Sequence, residues 1–421
     1  MLKNIQNENR YWRIFFIITL IFAIDSAFIP GNSRYWAVMG ILFADILFLR
    51  KEIRLGWLDL LILLGTSSIY WICDHNFFSG LDLGLKSLVV FQIGKYFAYP
   101  WNCDNTKTDT DSDNAVERVA VAVLALSMAL FLKGLLNYSY MIFDPSAIVS
   151  SEWAPWSFQL PVWNAGSYSD ISDDTYLFFH LALISSLIPY YALIIQKSRL
   201  LAVVGITLSS LAILLGIIGT GKFGIVCSIV TGLIVAMMIM VEKKWLKNIR
   251  IWMLIVGGLD IIMIIAVIAV GFNIWSFNDS EFYRVRLEAQ GAAISLLSEY
   301  PLGGYDNMIV VQGVGNVYQA YNSWLDIAVK AGVIPFVTFA AWIVALMVML
   351  KDIWAKSDNP DRYVLICSFV QMTLFNMLVS GYLRGDWHWN IEVFLGGMIC
   401  GLYGNLSGKE GLVICSHHLR K

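Results

Sequence analysis

Long, nearly uncharged apolar runs recur from one end of this 421-residue chain to the other. They limit the folds open to it more than any single motif does. Examples lie at 14–22, 119–132, 200–218, 225–240 and 251–270. The longer ones approach the roughly 20 residues a helix needs to cross the hydrocarbon core of a bilayer. The chain is 58% hydrophobic and only 14% charged, against about 25% charged in an ordinary soluble domain. A backbone in lipid must satisfy its own hydrogen bonds, so helices are the default spanning element. No alternating ten-residue pattern points to an outer-membrane barrel. The reading is therefore an all-α polytopic membrane protein: one helical domain over 1–421, not a string of soluble domains.

Hydropathy gives about twelve transmembrane helices. They fall at roughly 12–30, 35–49, 57–73, 81–100, 116–140, 174–196, 200–219, 223–241, 250–274, 321–349, 362–382 and 389–407. The first follows Lys3, Arg10 and Arg13 and reads as an uncleaved signal-anchor. The second and third are short enough to be tilted, re-entrant or partly interfacial. Lys and Arg sort strongly between alternate links. Of the 29, twenty fall on the side of the N-terminus. Lys86, Lys95, Lys133 and Lys330 lie within or at the edge of spans, and five fall on the far side. The positive-inside rule then makes both termini cytoplasmic.

Two far-side links are long, at 141–173 and 275–320, and both are expected to be periplasmic loops. Links of this length are usually functional or disordered, and these are too aromatic for disorder. The first has Trp153, Trp156, Phe158, Trp163 and Tyr168 but no Lys or Arg. Aromatic faces of that kind suit a sugar-binding wall and equally an interfacial belt. The polar link at 104–114 carries Asp109, Asp111 and Asp113, the start of a calcium-loop pattern. Asn114 and Ala120 occupy the positions that need Gly and Glu, so it reads as a solvated acidic loop. The six cysteines have neither metal-like nor disulfide-like spacing, and no cofactor or metal is expected.

The far-side cations, Arg34, Lys222, Arg284, Arg286 and Arg384, run against the rule that orients the chain. Guanidinium groups bind phosphate bidentately and keep their charge. Gathered at one membrane face, the five suit the diphosphate of a lipid-linked substrate. The plainer alternative is pairing with carboxylates or headgroups, as for Arg284 with Glu288 four residues on. Arg284 and Arg286, two apart, cannot share one helical face. Lys222 lies in the short turn GTGKFG, where Gly219, Gly221 and Gly224 allow close backbone approach to a ligand. The next helix would aim its amides at an anion. The turn is not a P-loop, because the GxxxxGK[ST] spacing is absent.

The order of GTGKFG, then YRVRLEAQGAAISLLSEYPLGGYDN, then YNSWLDIAVKAGVIPF resembles the O-antigen ligase and O-antigen polymerase superfamily of bacterial inner-membrane proteins. In that likeness Lys222 stands at the Arg of the family's first turn. Arg284 or Arg286 stands at its second motif, with Pro301, Leu302, Gly303 and Gly304 after it, and Asn322 precedes Gly332 at the family's spacing. The likeness is close over about 214–336. It implies metal-independent glycosyl transfer at the periplasmic face, with a glycan on undecaprenyl diphosphate as donor. A polymerase passes the glycan to the next lipid-linked repeat unit, and a ligase passes it to lipid A–core. A chain-length regulator and a flippase are the implied protein partners. The cations would stabilise the departing diphosphate, and a general base would take the acceptor proton.

The chain departs from the family at the base. Tyr321 stands where ligases carry His, and a phenol with pKa near about 10 is a poor base at neutral pH. This favours the polymerase over the ligase. His388, beside Arg384 and Asp386, titrates in the useful range and is the other candidate, although a His between Trp387 and Trp389 also suits an interfacial anchor. Glu288, Glu299 and Asp306 are weaker candidates. Asp25, Asp45, Asp59 and Asp260 fall within spans, where carboxylates are functional by default unless they pair with Lys86, Lys95 or Lys133. A flippase for the same lipid-linked glycan is the alternative of a different class. It would need cations lining a cavity at several depths, and only Lys86, Lys95 and Lys133 lie deeper.

Overall fold

The computed structural model describes residues 52–73, 76–98, 149–151, 154–159, 281–305, 309–311, 315–317, 320, 322–357, 387–407 and 412–415, with single helical positions at 119, 123, 203, 207, 362, 365, 366, 369 and 373. The described part is mostly helical. The chain divides into two units interleaved in sequence. One comprises Met1–Val38, Val116–Lys247 and Asn359–Gln371, and the other Met39–Ala115, Asn248–Asp358 and Met372–Lys421.

In the second unit, strand β1 (Glu52–Leu55) leads into helices α1 (Trp57–Cys73) and α2 (Phe77–Ala98). The first unit contributes an antiparallel ribbon of β2 (Val149–Ser151) and β3 (Ala154–Gln159), with an irregular register between Ser150 and Ser151. It lies in the aromatic link and carries Trp156 and Phe158. The second unit resumes with helix α3 (Glu281–Glu299), the hairpin β4 (Ile309–Val311) and β5 (Gly315–Val317), and the short helix α4 (Ser323–Asp326). A π-helical turn (Ile327–Ala331) follows, then α5 (Val333–Lys356), α6 (Trp387–Ser407) and β6 (Leu412–Cys415). The link expected at 275–320 thus holds a helix and a hairpin.

α1 starts at Gly56, whose N–H donates to Asp59 Oδ2 at 2.6 Å. This is the reach-back of a first-turn acid to the capping position. α2 starts at Asn76, whose side-chain oxygen accepts from Phe78 N at 3.0 Å and Ser79 N at 3.3 Å. α2 therefore begins at Phe77, earlier than the expected 81. The cap sets that start, and hydropathy misses it because Asp82 and Lys86 dilute the first turns.

α1 and α2 run antiparallel. Trp71 stacks on Phe77 at 5.1 Å near the link, and Lys95 Nζ meets Asp59 Oδ2 at 2.8 Å at the other end. Gly80 and Gly84, one turn apart, lie against Trp71, Ser67 and Leu63 of α1. α2 and α6 run parallel. A Cβ at Gly397 would strike the Phe91 carbonyl oxygen, and one at Gly401 that of Lys95. Small residues at this spacing let backbones approach within contact distance. α5 is parallel to α6, since Gly396 packs on Trp342 and Lys356 Nζ lies 5.6 Å from the Tyr403 ring. Phe91 and Trp342, with ring centroids 6.1 Å apart, join α2 to α5.

The starts of α2, α5 and α6 therefore lie at one end of this bundle and their ends at the other. β1 and β6 pair antiparallel, Glu52 opposite Cys415 and Leu55 opposite Leu412, beside the start of α1. Phe77–Lys95 and Val333–Lys356 are long and apolar enough to cross a membrane, and Trp57–Ile69 and Glu392–Gly404 are shorter apolar helices.

Candidate functional site

α3 is built from good helix formers, with Ala, Leu, Glu and Gln throughout. It stops at Glu299, two residues before Pro301, because the residue preceding a proline disfavours the helical region. Its buried Ala289 and Ala293 pack with Ile309, Ala320 and Val329, flanked by Leu296, Leu297, Tyr305 and Leu325. The helix, the hairpin and the α4 region thus share one small core.

The chain then turns through the PLGG segment. Gly303 N donates to Tyr300 O at 3.0 Å and Gly304 N to Lys330 O at 2.6 Å. Val333 N donates back to Pro301 O at 3.2 Å. Gly303 and Gly332 have φ of 82° and 92°, in the left-handed region that L side chains avoid. A Cβ on Gly303 would run into Ala331, and one on Gly332 into the Leu302 carbonyl. Two segments singled out by sequence are therefore locked together, backbone against backbone, where α5 begins.

Asn322 caps α4. Its side-chain oxygen accepts from Trp324 N at 3.0 Å and Leu325 N at 3.2 Å. Asp326, buried at 1% exposure, accepts from Ala320 N at 2.8 Å and pins the approach to α4. Gly332 N bonds to Ile327 O at 3.0 Å, which closes the π turn. Such turns are local irregularities that often mark functional positions. The expected span at 321–349 is thus broken at Gly332, and only α5 is a long continuous helix. Hydropathy does not see the break because the residues before Gly332 are as apolar as those after it.

Among the predicted site residues, Gly303 and Gly304 meet Lys330–Gly332 at this junction, and Asn322 caps the helix that leads into it. Arg284 and Arg286 stand on α3, about 200° apart around its axis at 3.6 residues per turn. Position 286 continues the row of Gln290, Ala293 and Leu297, and position 284 the row of Glu288 and Ser295. His388 is in the first turn of α6. For these three only the backbone is described. Arg34, Gly221, Lys222, Tyr321 and Arg384 lie outside the described residues.

Sequence reasoning missed two residues. Asp326 holds the loop shape described above. Glu392, on α6, has 0% exposure. It falls inside the expected span at 389–407, where a carboxylate is functional by default, so that signal was legible.

Of the charges expected within spans, Asp59, Lys86 and Lys95 have partners, and Asp25, Asp45, Asp260 and Lys133 lie outside the described residues. Asp59 accepts from Lys95 at 2.8 Å, from Gly56 N, and from Gln92 through its other oxygen. Lys86 pairs with Asp82 at 2.6 Å. Among the described residues no group of three or more His, Cys, Asp and Glu is placed to hold a metal ion. The chain matches no protein-family model and no curated protein sequence.

Proposed function

We propose that this protein is a multi-pass membrane glycosyltransferase of the bacterial inner membrane. It would join undecaprenyl-diphosphate-linked oligosaccharide repeat units into O-antigen or capsular polysaccharide at the periplasmic face. The observation that carries the reading is the junction of Pro301–Leu302–Gly303–Gly304 with Asn322–Gly332, directly after the helix bearing Arg284 and Arg286. Segments that resemble one family's motifs, 18 or more positions apart in the chain (304 to 322), form a single packed unit.

Support for the membrane comes from polarity turned inside out. Asp59, Thr66, Ser67, Ser87, Gln92 and Glu392 are buried. Val333, Val337, Val344 and Val348 of α5 and Leu60 and Leu64 of α1 face outward. Exposed rows of this kind suit lipid, and buried polar groups facing a bundle interior are the membrane pattern. Arg54, Lys351 and Lys356 gather at the end of the bundle where α5 and α6 finish, which the positive-inside rule makes cytoplasmic. The α3 module then faces the periplasm. Chemistry there needs no metal: Lys222 with Arg284 or Arg286 stabilises the departing diphosphate, and a base takes the acceptor proton.

The ligase remains the nearest alternative, since it uses the same donor. The flippase reading loses ground on a specific observation. Lys86 and Lys95, two of the three deep cations it needs, are held by Asp82 and Asp59.

Deletion of the gene followed by surface glycan analysis tests the proposal. A polymerase defect leaves single repeats on lipid A–core. A ligase defect leaves no attached repeats and polymer accumulating on its carrier. Normal chains refute both. In complemented cells, Ala at Lys222, Arg284 or Arg286 is expected to end chain extension while the protein still inserts. Normal polymer in all three overturns the diphosphate clamp.

A further inference from the structure

α1 and α5 each turn an apolar row outward. On α1 it runs through Trp57, Leu60 and Leu64, all exposed, and the same face continues to Trp71. On α5 it runs through Ile334, Val337, Val344 and Val348, with Val333 exposed at its start. The next outward position on α5 is Lys351. The two helices are antiparallel. A Cβ on Gly65 of α1 would lie 3.1 Å from Thr338 Oγ1 of α5, so those two residues share a level. From that level toward the α3 module, Trp71 is six positions away and Val333 five, or about 9 and 8 Å at 1.5 Å per residue. Toward the other end, Trp57 is eight positions away and Val348 ten, or about 12 and 15 Å. The two rows therefore stop at the same two planes to within about 3 Å. Aromatic rings stand at both. Trp71 stacks on Phe77 at 5.1 Å, and its Nε1 donates to Phe77 O at 2.8 Å, with Phe78 exposed beside it. Trp57 stands at the opposite plane.

We propose that this bundle is built for a hydrocarbon layer of about 22 Å and thins the bilayer around it, since an ordinary layer is about 30 Å thick. This inference rests on the membrane part of the reading above and on none of its chemistry. Lipid is the occupant that explains the shared planes. A second copy or a soluble partner has no reason to end its contact at one level on two antiparallel helices, whereas a bilayer must. Trp at the two ends of an apolar row is the pattern of side chains at the two membrane–water boundaries. A thicker layer would draw Asn76, the polar cap of α2, and the head of Lys351 into hydrocarbon. Lys351 can snorkel, but the cap cannot move without freeing the N–H groups it holds. Compressing the lipid costs only a fraction of a kcal/mol per Å, so the lipid gives way. Tilting the helices would make the layer thinner still. The outer plane passes through Val333, next to the lock of Gly303 on Gly332. Thinning therefore draws the headgroup layer, and with it the diphosphate of a lipid-linked donor, to the level of the motif junction.

The test reconstitutes the purified full chain into phosphatidylcholine vesicles whose monounsaturated acyl chains run from fourteen to twenty-two carbons. The thermal unfolding temperature is read in each. It is expected to peak at fourteen or sixteen carbons and to fall by about 5 °C at twenty-two. Lys351→Leu carries the α5 row on to Ala355 and should move the peak to the next longer lipid. A peak at eighteen carbons or beyond, or no dependence on chain length, overturns the inference. An unmoved peak in Lys351→Leu overturns the boundary drawn at Val348. Efficient disulfide cross-linking of two copies through Leu64→Cys or Val344→Cys would give the rows to a second copy and overturn it as well. A chain that does not float with the vesicles overturns the membrane reading and the inference together. A short-chain peak in a protein that makes no polymer from a lipid-linked repeat unit supports the inference and sinks the polymerase alone.

Discussion

Asn322, which the family resemblance gives only as a supporting residue, also has a local job. Its oxygen caps α4 through two backbone N–H groups, and its own exposure is 8%. Removing such a cap costs about 1 kcal/mol. Asn322→Ala is therefore expected to lower the unfolding temperature in detergent measurably. Asn322→Asp still accepts both bonds and should keep stability and polymer synthesis. Loss of synthesis in Asn322→Asp with stability intact would give the amide a role in chemistry. Gly332 is a sharper constraint, because its φ of 92° and its contact with the Leu302 carbonyl both forbid a side chain. The spacing of Asn322 and Gly332 was legible in the sequence. That Gly332 is met by Gly303 was not, since nothing local marks a partner 29 positions away (332 from 303).

At the scale of elements, α1, α2 and α6 are held by small residues and one buried ion pair. Breaking a buried pair from one side leaves a stranded charge and typically costs 3–5 kcal/mol, while replacing both partners with apolar residues is often close to neutral. Lys95→Met alone is expected to destabilise the protein by about 3 kcal/mol. Asp59→Leu/Lys95→Met should recover most of that loss, read by denaturation in mild detergent. A double variant no better than the single would mean that the pair does more than hold α1 on α2. α1 was legible to its ends, 57–73, because a clean apolar run opens directly after Gly56. α3 was read as part of a link because its apolar stripe is narrow and made largely of alanine. It becomes a helix only with Ile309 and Val329 to pack on.

For the whole molecule, the parallel course of α2, α5 and α6, with α1 opposed, is what strict alternation requires of spans four, ten and twelve against span three. These helix directions fit the alternation on which the charge sorting rests. In a cysteine-free background, Leu302→Cys should react with a membrane-impermeant maleimide in spheroplasts, and Lys356→Cys only after lysis. Leu302 is 71% exposed, so the probe has access. Labelling of both from the same side would overturn the orientation and with it the periplasmic site.

Sequence by itself determined where the apolar helices α1, α2, α5 and α6 run and how Lys and Arg sort between alternate links. These follow from transfer free energies that each residue carries wherever it sits. Tertiary structure decided which polar groups meet. Asp59 finds Lys95 at a separation of 36 residues, and PLGG locks onto Gly332. Those encounters depend on which helices are neighbours. Neighbours are chosen by the fit of Gly80, Gly84, Gly397 and Gly401 against facing backbones, a property of surfaces in contact and not of any one stretch of chain.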